Sequence, residues 1–253
     1  MLENKVAIIT GAAQGIGKAV AELFSHEGAS IALCDINFNG VEKEKELLNK
    51  KSGPHRAYQV DVTNVDQIRR TVDEIYTDYG HIDILVNSAG IFFRRAVYDL
   101  TLADWKRMMD VNVKSIFFLS QAVAKCFIEQ KTKGKIINVA SISGEIVQAE
   151  KSHYAASKAA VIQLTKCIAL ELAHYGINVN VISPGPTITP QIEPVNPEEY
   201  LQRHNIPLGR MALPIDQAKG ALFLASDLAD HITGQVINID GGEAMTYINP
   251  ISK

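Results

Sequence analysis

The sequence predicts an α/β protein, a single doubly wound domain with a seven-stranded, mostly parallel sheet and helices on both faces. Three observations predict it. Short runs rich in Val and Ile alternate with helical patterns almost from end to end, and alternating βα units imply a parallel sheet covered on both sides. The 253 residues carry 47% hydrophobic side chains, ample for one large core. A glycine-rich turn, Thr10–Gly17, joins the first strand to the first helix.

Lys5–Thr10 reads as the first strand and Ile16–His26 as the helix that follows the glycines. Ser30–Cys34 is the second strand, and the charged stretch Val41–Lys50 the second helix. Ala57–Val60 follows as a strand. Asn64–Tyr79 reads as a helix with a capping residue at its start and Gly80 at its end. Strands Ile82–Val86 and Lys135–Ala140 flank a long helix, Leu102–Gln130. A second long helix, Ser152–Tyr175, ends at Gly176 and leads to strands Ile177–Ile182 and Val236–Ile239. Seven of the nine prolines fall between residues 184 and 214. Such a segment suits neither a central strand nor a long unbroken helix, and its place after a parallel strand predicts a loop over a site, a substrate lid at about residues 186–208.

Composition narrows the function. With 25 basic and 28 acidic side chains the net charge is −3, which argues against a protein whose main task is gripping nucleic acid or an anionic membrane. Cys34, Cys126 and Cys167 are widely spaced with no C-x-x-C pair, so neither a disulfide framework nor a metal site is expected, and the cysteines read as small apolar core or interface residues. Met1–Lys5 runs straight into a strand without signal-peptide architecture. No uninterrupted apolar run approaches the ~18–20 residues that cross a bilayer. The expectation is a soluble cytoplasmic protein.

The turn Gly11-Ala12-Ala13-Gln14-Gly15-Ile16-Gly17 lets the backbone approach a pyrophosphate, and the helix start supplies N–H donors and a positive dipole end. Asp35 closes the second strand, where a carboxylate accepts hydrogen bonds from an adenosine ribose and repels a 2′-phosphate. No Arg or Lys occupies Ala12, Ala13, Gln14, Ile36 or Asn37. Together these predict NAD rather than NADP. Tyr154 and Lys158 form Y-x-x-x-K near a helix start, on one face. An adjacent ammonium, with a cationic nicotinamide ring, favours the phenolate over the usual pKa near ~10.

These signals converge. Thr10–Gly17, Asp61-Val62, Asn87-Ser88-Ala89-Gly90, Asn112, Ser141, Tyr154 with Lys158, Pro184-Gly185 and Asp240-Gly241-Gly242 stand in the order and spacing of the short-chain dehydrogenase/reductases, which the chain resembles over essentially its whole length. Ser88 departs from the pattern, which usually has Asn or Val there. The resemblance implies a Rossmann-type fold and assigns roles. Tyr154 would be general acid in reduction and base in oxidation. Lys158 would lower its pKa and hold the nicotinamide ribose. Ser141, 13 residues before Tyr154, would bind the substrate oxygen, and Asn112 would hold a water linking Lys158 to solvent. Gly11, Gln14, Gly15, Ile16 and Gly17 would cradle the pyrophosphate. Asp61 and Val62 would contact adenine. Asn87, Ala89 and Gly90 would line the cleft, although Asn87 also suits a strand-to-strand hydrogen bond. Pro184, Gly185, Thr187 and Thr189 would hold the carboxamide end.

The implied activity is hydride transfer between NAD(H) and a secondary alcohol or ketone. Residues Ile91–Gln130 look like the branch acting on sugars, sugar acids and polyols. An NADH-linked 3-oxoacyl carrier reductase is the alternative enzyme, and a non-catalytic NAD(H)-binding sensor the alternative of another class. Pocket candidates by position are Phe93, Arg94, Arg95, Glu145, Ile146, Val147, Gln148, His153 and residues 188–201. Arg94 or Arg95 is a candidate for a substrate carboxylate or hydroxyl cluster. His153, some 100° around the helix from Tyr154, reads as a pocket wall or exposed residue rather than a base. The long helices carry more apolar surface than one sheet face needs, and the resemblance implies a homotetramer, with residues 245–253 able to reach a neighbour.

Overall fold

The computed structural model describes residues 1–51, 53–190, 196–203 and 205–246. Seven strands form one sheet: β1 (Val6–Thr10), β2 (Ser30–Asp35), β3 (Arg56–Gln59), β4 (Ile84–Asn87), β5 (Lys135–Val139), β6 (Asn178–Pro184) and β7 (Val236–Ile239). Their order is β3-β2-β1-β4-β5-β6-β7, and every pairing is parallel. The order reverses beside β1, where β2 lies on one side and β4 on the other. Chain connections there leave in opposite directions and open a crevice at the carboxyl edge.

The helices are α1 (Gly15–His26), α2 (Phe38–Asn49), α3 (Val65–Tyr79), α4 (Leu102–Met109), α5 (Ser115–Gln130), α6 (Ser152–Leu172), α7 (Pro197–Arg203) and α8 (Pro214–Ala225). Local chemistry sets their ends. Asn64 accepts the N–H of Gln67 at 3.0 Å to start α3, and Gly80 ends it in the left-handed region at φ 79°. Thr101 and Asp104 form a reciprocal capping box on α4. Two apolar layers sandwich the sheet. One gathers Val20 and Phe24 of α1, Val41 of α2 and Leu222 of α8 against β1 and β2. The other gathers Ile68 and Val72 of α3 with Leu119, Val123 and Phe127 of α5. Phe24 and Phe127 are fully buried, and each such burial stabilises by roughly 1.5–3 kcal/mol.

Three expectations change. The proline-rich stretch is not loop throughout: it contains α7 and ends in α8, because Pro214 sits in the first turn of a helix, where its missing N–H costs nothing. Leu102–Gln130 is broken by a π-helical turn at Asp110–Lys114. Taken together, that rod of 29 residues is long and apolar enough to cross a membrane by length and composition. Its core-facing side nonetheless covers this sheet. Among the cysteines, only Cys34 is buried, while Cys126 is half-buried and Cys167 exposed. The lid expected at about residues 186–208 lies partly outside the described residues, as do residues 247–253.

Candidate active site

The crevice is a cleft of about 710 Å³ running along the carboxyl edge of the sheet. Its floor is the turn after β1. Gly11 and Gly15 take positive φ, 68° and 59°. A Cβ on Gly17 would stand 2.3 Å from the Gly11 carbonyl oxygen, and one on Gly11 would stand 2.9 Å from the Ala89 backbone. Only glycine permits this packing. Thr10 fastens the turn to the one after β4: its hydroxyl accepts the N–H groups of Ser88 at 3.1 Å and Ala89 at 3.2 Å. Gln14 makes no side-chain cap on α1, and no acidic residue occupies the first turn. The helix start thus offers donors and a positive end to an anion.

At one end of the cleft Asp35 accepts the N–H groups of Ala13 at 3.1 Å and Asn37 at 2.9 Å, which fixes its carboxylate at the cleft wall beside Ile36. Asp61 and Val62 line the same end. Asp61 accepts the N–H and hydroxyl of Thr63 at 2.8 and 2.7 Å, an Asx turn that holds the loop. The dinucleotide expectation fits: glycines where a Cβ would fill the cradle, free helix donors, and a carboxylate at the ribose end.

At the other end stand Ser141, Tyr154 and Lys158. Ser141 ends β5's extension in extended backbone, and its hydroxyl accepts the N–H of Ser143 at 3.2 Å. Lys158 is 6% exposed, donates to the Val139 carbonyl at 2.9 Å and lies 5.7 Å from the Tyr154 ring centre. Burial pushes the Lys158 ammonium down to about 8. Burial also pushes the Tyr154 phenol above its ordinary value, while its hydrogen bond with Ser141 pulls the other way. At the phenol, burial thus outweighs the Ser141 contact, and the Lys158 ammonium is turned toward Val139.

Asn112 is fully buried in the π turn. Its side-chain oxygen accepts the Ile91 N–H at 2.9 Å, and its amide donates to the Ile91 carbonyl at 3.0 Å and the Ser157 hydroxyl at 3.2 Å. It thereby ties the β4 loop to α6 from behind the cleft wall. A Cβ on Gly90 would meet Asn112 Oδ1 at 3.4 Å and Lys158 Nζ at 3.7 Å, so the two groups face the same small space.

Asn87 does not line the cleft. It is 1% exposed and donates to Asn138 Oδ1 at 2.8 Å and Ser120 Oγ at 3.3 Å. Its side chain points into the layer beneath the sheet, so the strand-to-strand alternative holds. Ala89 and Gly90 do line the cleft, as do Gly11, Gln14, Gly15, Ile16, Gly17, Pro184, Gly185, Thr187 and Thr189. Thr187 is fixed by a residue the sequence did not single out. Gln217 of α8 donates to Thr187 Oγ1 at 3.2 Å and to the Ile239 carbonyl at 2.8 Å.

Of the pocket candidates, Arg94, Gln148, Thr189, Pro190 and Tyr200 line the cleft. Phe93 and Arg95 line a side pocket that shares Arg94 with it. Glu145 instead accepts from Asn238 at 2.7 Å, and Val147 is 89% exposed. His153 is neither cleft wall nor exposed: it is fully buried, its ring 4.6 Å from that of Phe93, and burial lowers its pKa. Residues 191–195 lie outside the described residues. Arg107, Lys151 and Glu243 line the cleft without having been singled out, since each is an ordinary charged residue in sequence. Among the described residues no group of metal-ligating side chains stands together.

Comparison with known proteins gives the same answer as the geometry. Residues 11–244 match the family described as enoyl-(acyl carrier protein) reductase. A 3-oxoacyl-[acyl-carrier-protein] reductase of Thermotoga maritima is 44% identical, covering 95% of this chain and 98% of its own. An NAD-dependent glycerol dehydrogenase of Listeria innocua is 40% identical (95% and 94%), and a galactitol 2-dehydrogenase of Agrobacterium fabrum 37% (97% and 99%). A crystal structure of a short-chain type dehydrogenase/reductase from Mycobacterium marinum superposes with a TM-score of 0.91 at 39% identity, covering 96% of each chain. The protein is an oxidoreductase of secondary alcohols and ketones that uses a nicotinamide cofactor, and the chain belongs to the short-chain dehydrogenase/reductase family.

Proposed function

We propose that this protein is an NAD(H)-dependent dehydrogenase of a polyhydroxylated secondary alcohol, a polyol or sugar acid, working with Asn112, Ser141, Tyr154 and Lys158. The observation that carries the reading is the single cleft with Asp35 at one end and Tyr154, Ser141 and Lys158 at the other. A fixed carboxylate at the ribose end disfavours a 2′-phosphate and so favours NAD. When bound, the nicotinamide supplies or accepts the hydride. Gly11, Gln14, Gly15, Ile16 and Gly17 hold the pyrophosphate, Asp35 the adenosine ribose, Asp61 and Val62 the adenine. Ala89 and Gly90 line the middle of the cleft, and Pro184, Gly185, Thr187 and Thr189 hold the carboxamide end.

Tyr154 gives its phenolic proton to the substrate oxygen in reduction and takes it back in oxidation. The Ser141 hydroxyl donates to the same oxygen and stabilises charge there. The Lys158 ammonium holds the nicotinamide ribose and, with the cationic ring, favours the phenolate. Asn112 positions the β4 loop and α6 and holds the water through which Lys158 exchanges its proton. Arg94, at the cleft wall, takes a substrate carboxylate or hydroxyl. The chain works as a single domain, and Pro186, Thr187, Thr189, Pro190 and Tyr200 stand at the cleft wall on the side of the expected lid.

Absorbance assays with NAD(H) and NADP(H) on polyols, sugar acids and acetoacetyl thioesters test this reading. Turnover with NAD(H) on the first two groups is expected. Preference for the thioester would favour the carrier reductase, which the T. maritima relative supports. Tight NADH binding without turnover of any of them would favour a sensor. The assembly proposed is a homotetramer acting in the cytoplasm. Phe117 of α5 and Leu170 of α6 support it, since they expose 38% and 80% of their surface. A monomeric mass by light scattering would overturn it.

A further inference from the structure

Beyond the reacting hydroxyl, the cleft wall carries polar side chains from separate parts of the chain. Arg94 leaves the loop after β4, Lys151 stands just ahead of α6, Tyr200 lies in α7, and Glu243 opens the 3₁₀ turn after β7. Glu243 is 5% exposed, and a buried carboxylate needs compensating partners. Its Oε1 accepts the Tyr200 hydroxyl at 3.3 Å. Lys151 is a nearby cation that also donates to Gln148; burial and Arg94 depress its ammonium to about 8, and the charge of Glu243 opposes them.

Lys151 brings this group of side chains to within one ring of Tyr154. The Phe92 ring stands edge-on to the Tyr154 ring, with centres 4.9 Å apart. The Lys151 ammonium lies 5.2 Å from the centre of that same Phe92 ring. One aromatic ring therefore separates Lys151 from Tyr154, a span that a chain of a few carbons covers.

The donor and acceptor inventory says what such a chain must carry. An ionised carboxylate only accepts hydrogen bonds, while ammonium and guanidinium groups only donate. A ligand that bonds to both kinds of group offers hydroxyl donors as well as oxygen lone pairs beyond its reacting centre. A run of hydroxylated carbons does this. The acyl carbons beside a 3-oxo group carry no donor.

We propose that Glu243 determines specificity, accepting a hydrogen bond from a substrate hydroxyl beyond the reacting carbon while Lys151 donates to a neighbouring one, so that the cleft selects a polyhydroxylated chain. The proposal rests on the alcohol and ketone reading above and names the residues that would narrow it. The competing role for Glu243 is a latch that holds α7 through Tyr200.

The test is steady-state kinetics of the wild type, Glu243→Gln and Tyr200→Phe, with NAD⁺, on a tetritol and hexitol panel and on 2-butanol. Calorimetric titration of the best polyol into NADH-saturated protein gives a second readout. In Glu243→Gln the ratio of kcat/KM for that polyol to kcat/KM for 2-butanol falls about 10- to 100-fold, the range for a hydrogen bond to a charged group. The calorimetric Kd rises by a similar factor. Tyr200→Phe cuts the latch, leaves the carboxylate and keeps most of the polyol preference.

An unchanged ratio in Glu243→Gln overturns the proposal. Equal collapse in both variants overturns it in favour of the latch. A wild type that turns over 2-butanol or an acetoacetyl thioester but no polyol overturns it while the alcohol and ketone reading stands. No turnover of any alcohol or ketone overturns that reading, and the proposal with it.

Discussion

Lys158 donates to the backbone carbonyl of Val139 at 2.9 Å while its nitrogen stands 5.7 Å from the centre of the Tyr154 ring. The buried lysine and the half-buried tyrosine share a corner that opposes the charge of each. Tyr154→Phe removes the proton carrier and leaves the packing. Turnover is expected to fall by about 10²–10⁴-fold, the usual range for a positioned acid–base group, with the NADH dissociation constant within a few-fold of wild type by fluorescence titration.

The same corner makes a stability prediction. The Lys158 ammonium is depressed to about 8 in the folded protein from 10.5 ordinarily, so below pH 8 the fold bears the full cost of a buried charge. Between those two values the folded chain sheds a proton that the unfolded chain keeps, and stability rises with pH. Lys158→Met is therefore expected to stabilise the protein at pH 7 by roughly 1–3 kcal/mol while abolishing turnover. Denaturant melts without nucleotide should show the gain shrinking as pH rises through that window. A loss of stability at pH 7 would contradict it.

Asp35 is fixed by the N–H groups of Ala13 and Asn37. Asp35→Ser removes its charge and keeps a hydroxyl. The ratio of NADPH to NADH affinity is expected to rise by about 10-fold or more, the effect of about 1.4 kcal/mol at this site, read by fluorescence titration of both nucleotides.

Asn87 gives the opposite signature. Its amide bridges β4 to Asn138 and Ser120 inside the fold. Asn87→Ala leaves buried polar partners short of a donor and is expected to cost roughly 1–3 kcal/mol in chemical denaturation. NADH affinity should change little at temperatures where the variant is folded. A large loss of affinity at unchanged stability would return Asn87 to the cleft.

Much of this molecule was legible in its residues. The Val and Ile runs located all seven strands to within a few positions, since strands buried on both faces leave little choice of composition. The glycines of the first turn were legible because a Cβ at Gly17 or Gly11 would collide with backbone. What was hidden depends on contacts between distant segments. Helix α8 was obscured by its own Pro214, which reads as a breaker until it falls in a helix's first turn. With α8 went Gln217 and its grip on Thr187. Asn87 and Glu243 carry no sign in the sequence of which way they point, toward the cleft or away from it. His153 was misplaced for the same reason, since neighbours on a helix part by angle and the depth of each depends on Phe93.

The π turn at Asp110–Lys114 has an evolutionary corollary. A π turn holds one residue more than the α-helix around it, so a single-codon deletion within it would let α4 and α5 fuse into a regular rod. Asn112, whose amide clasps both Ile91 and Ser157, would then be rotated or lost. One missing residue there would thus exchange the clasp on the β4 loop for a smoother helix, so the length of this stretch, and not only the identity of residue 112, is part of the site.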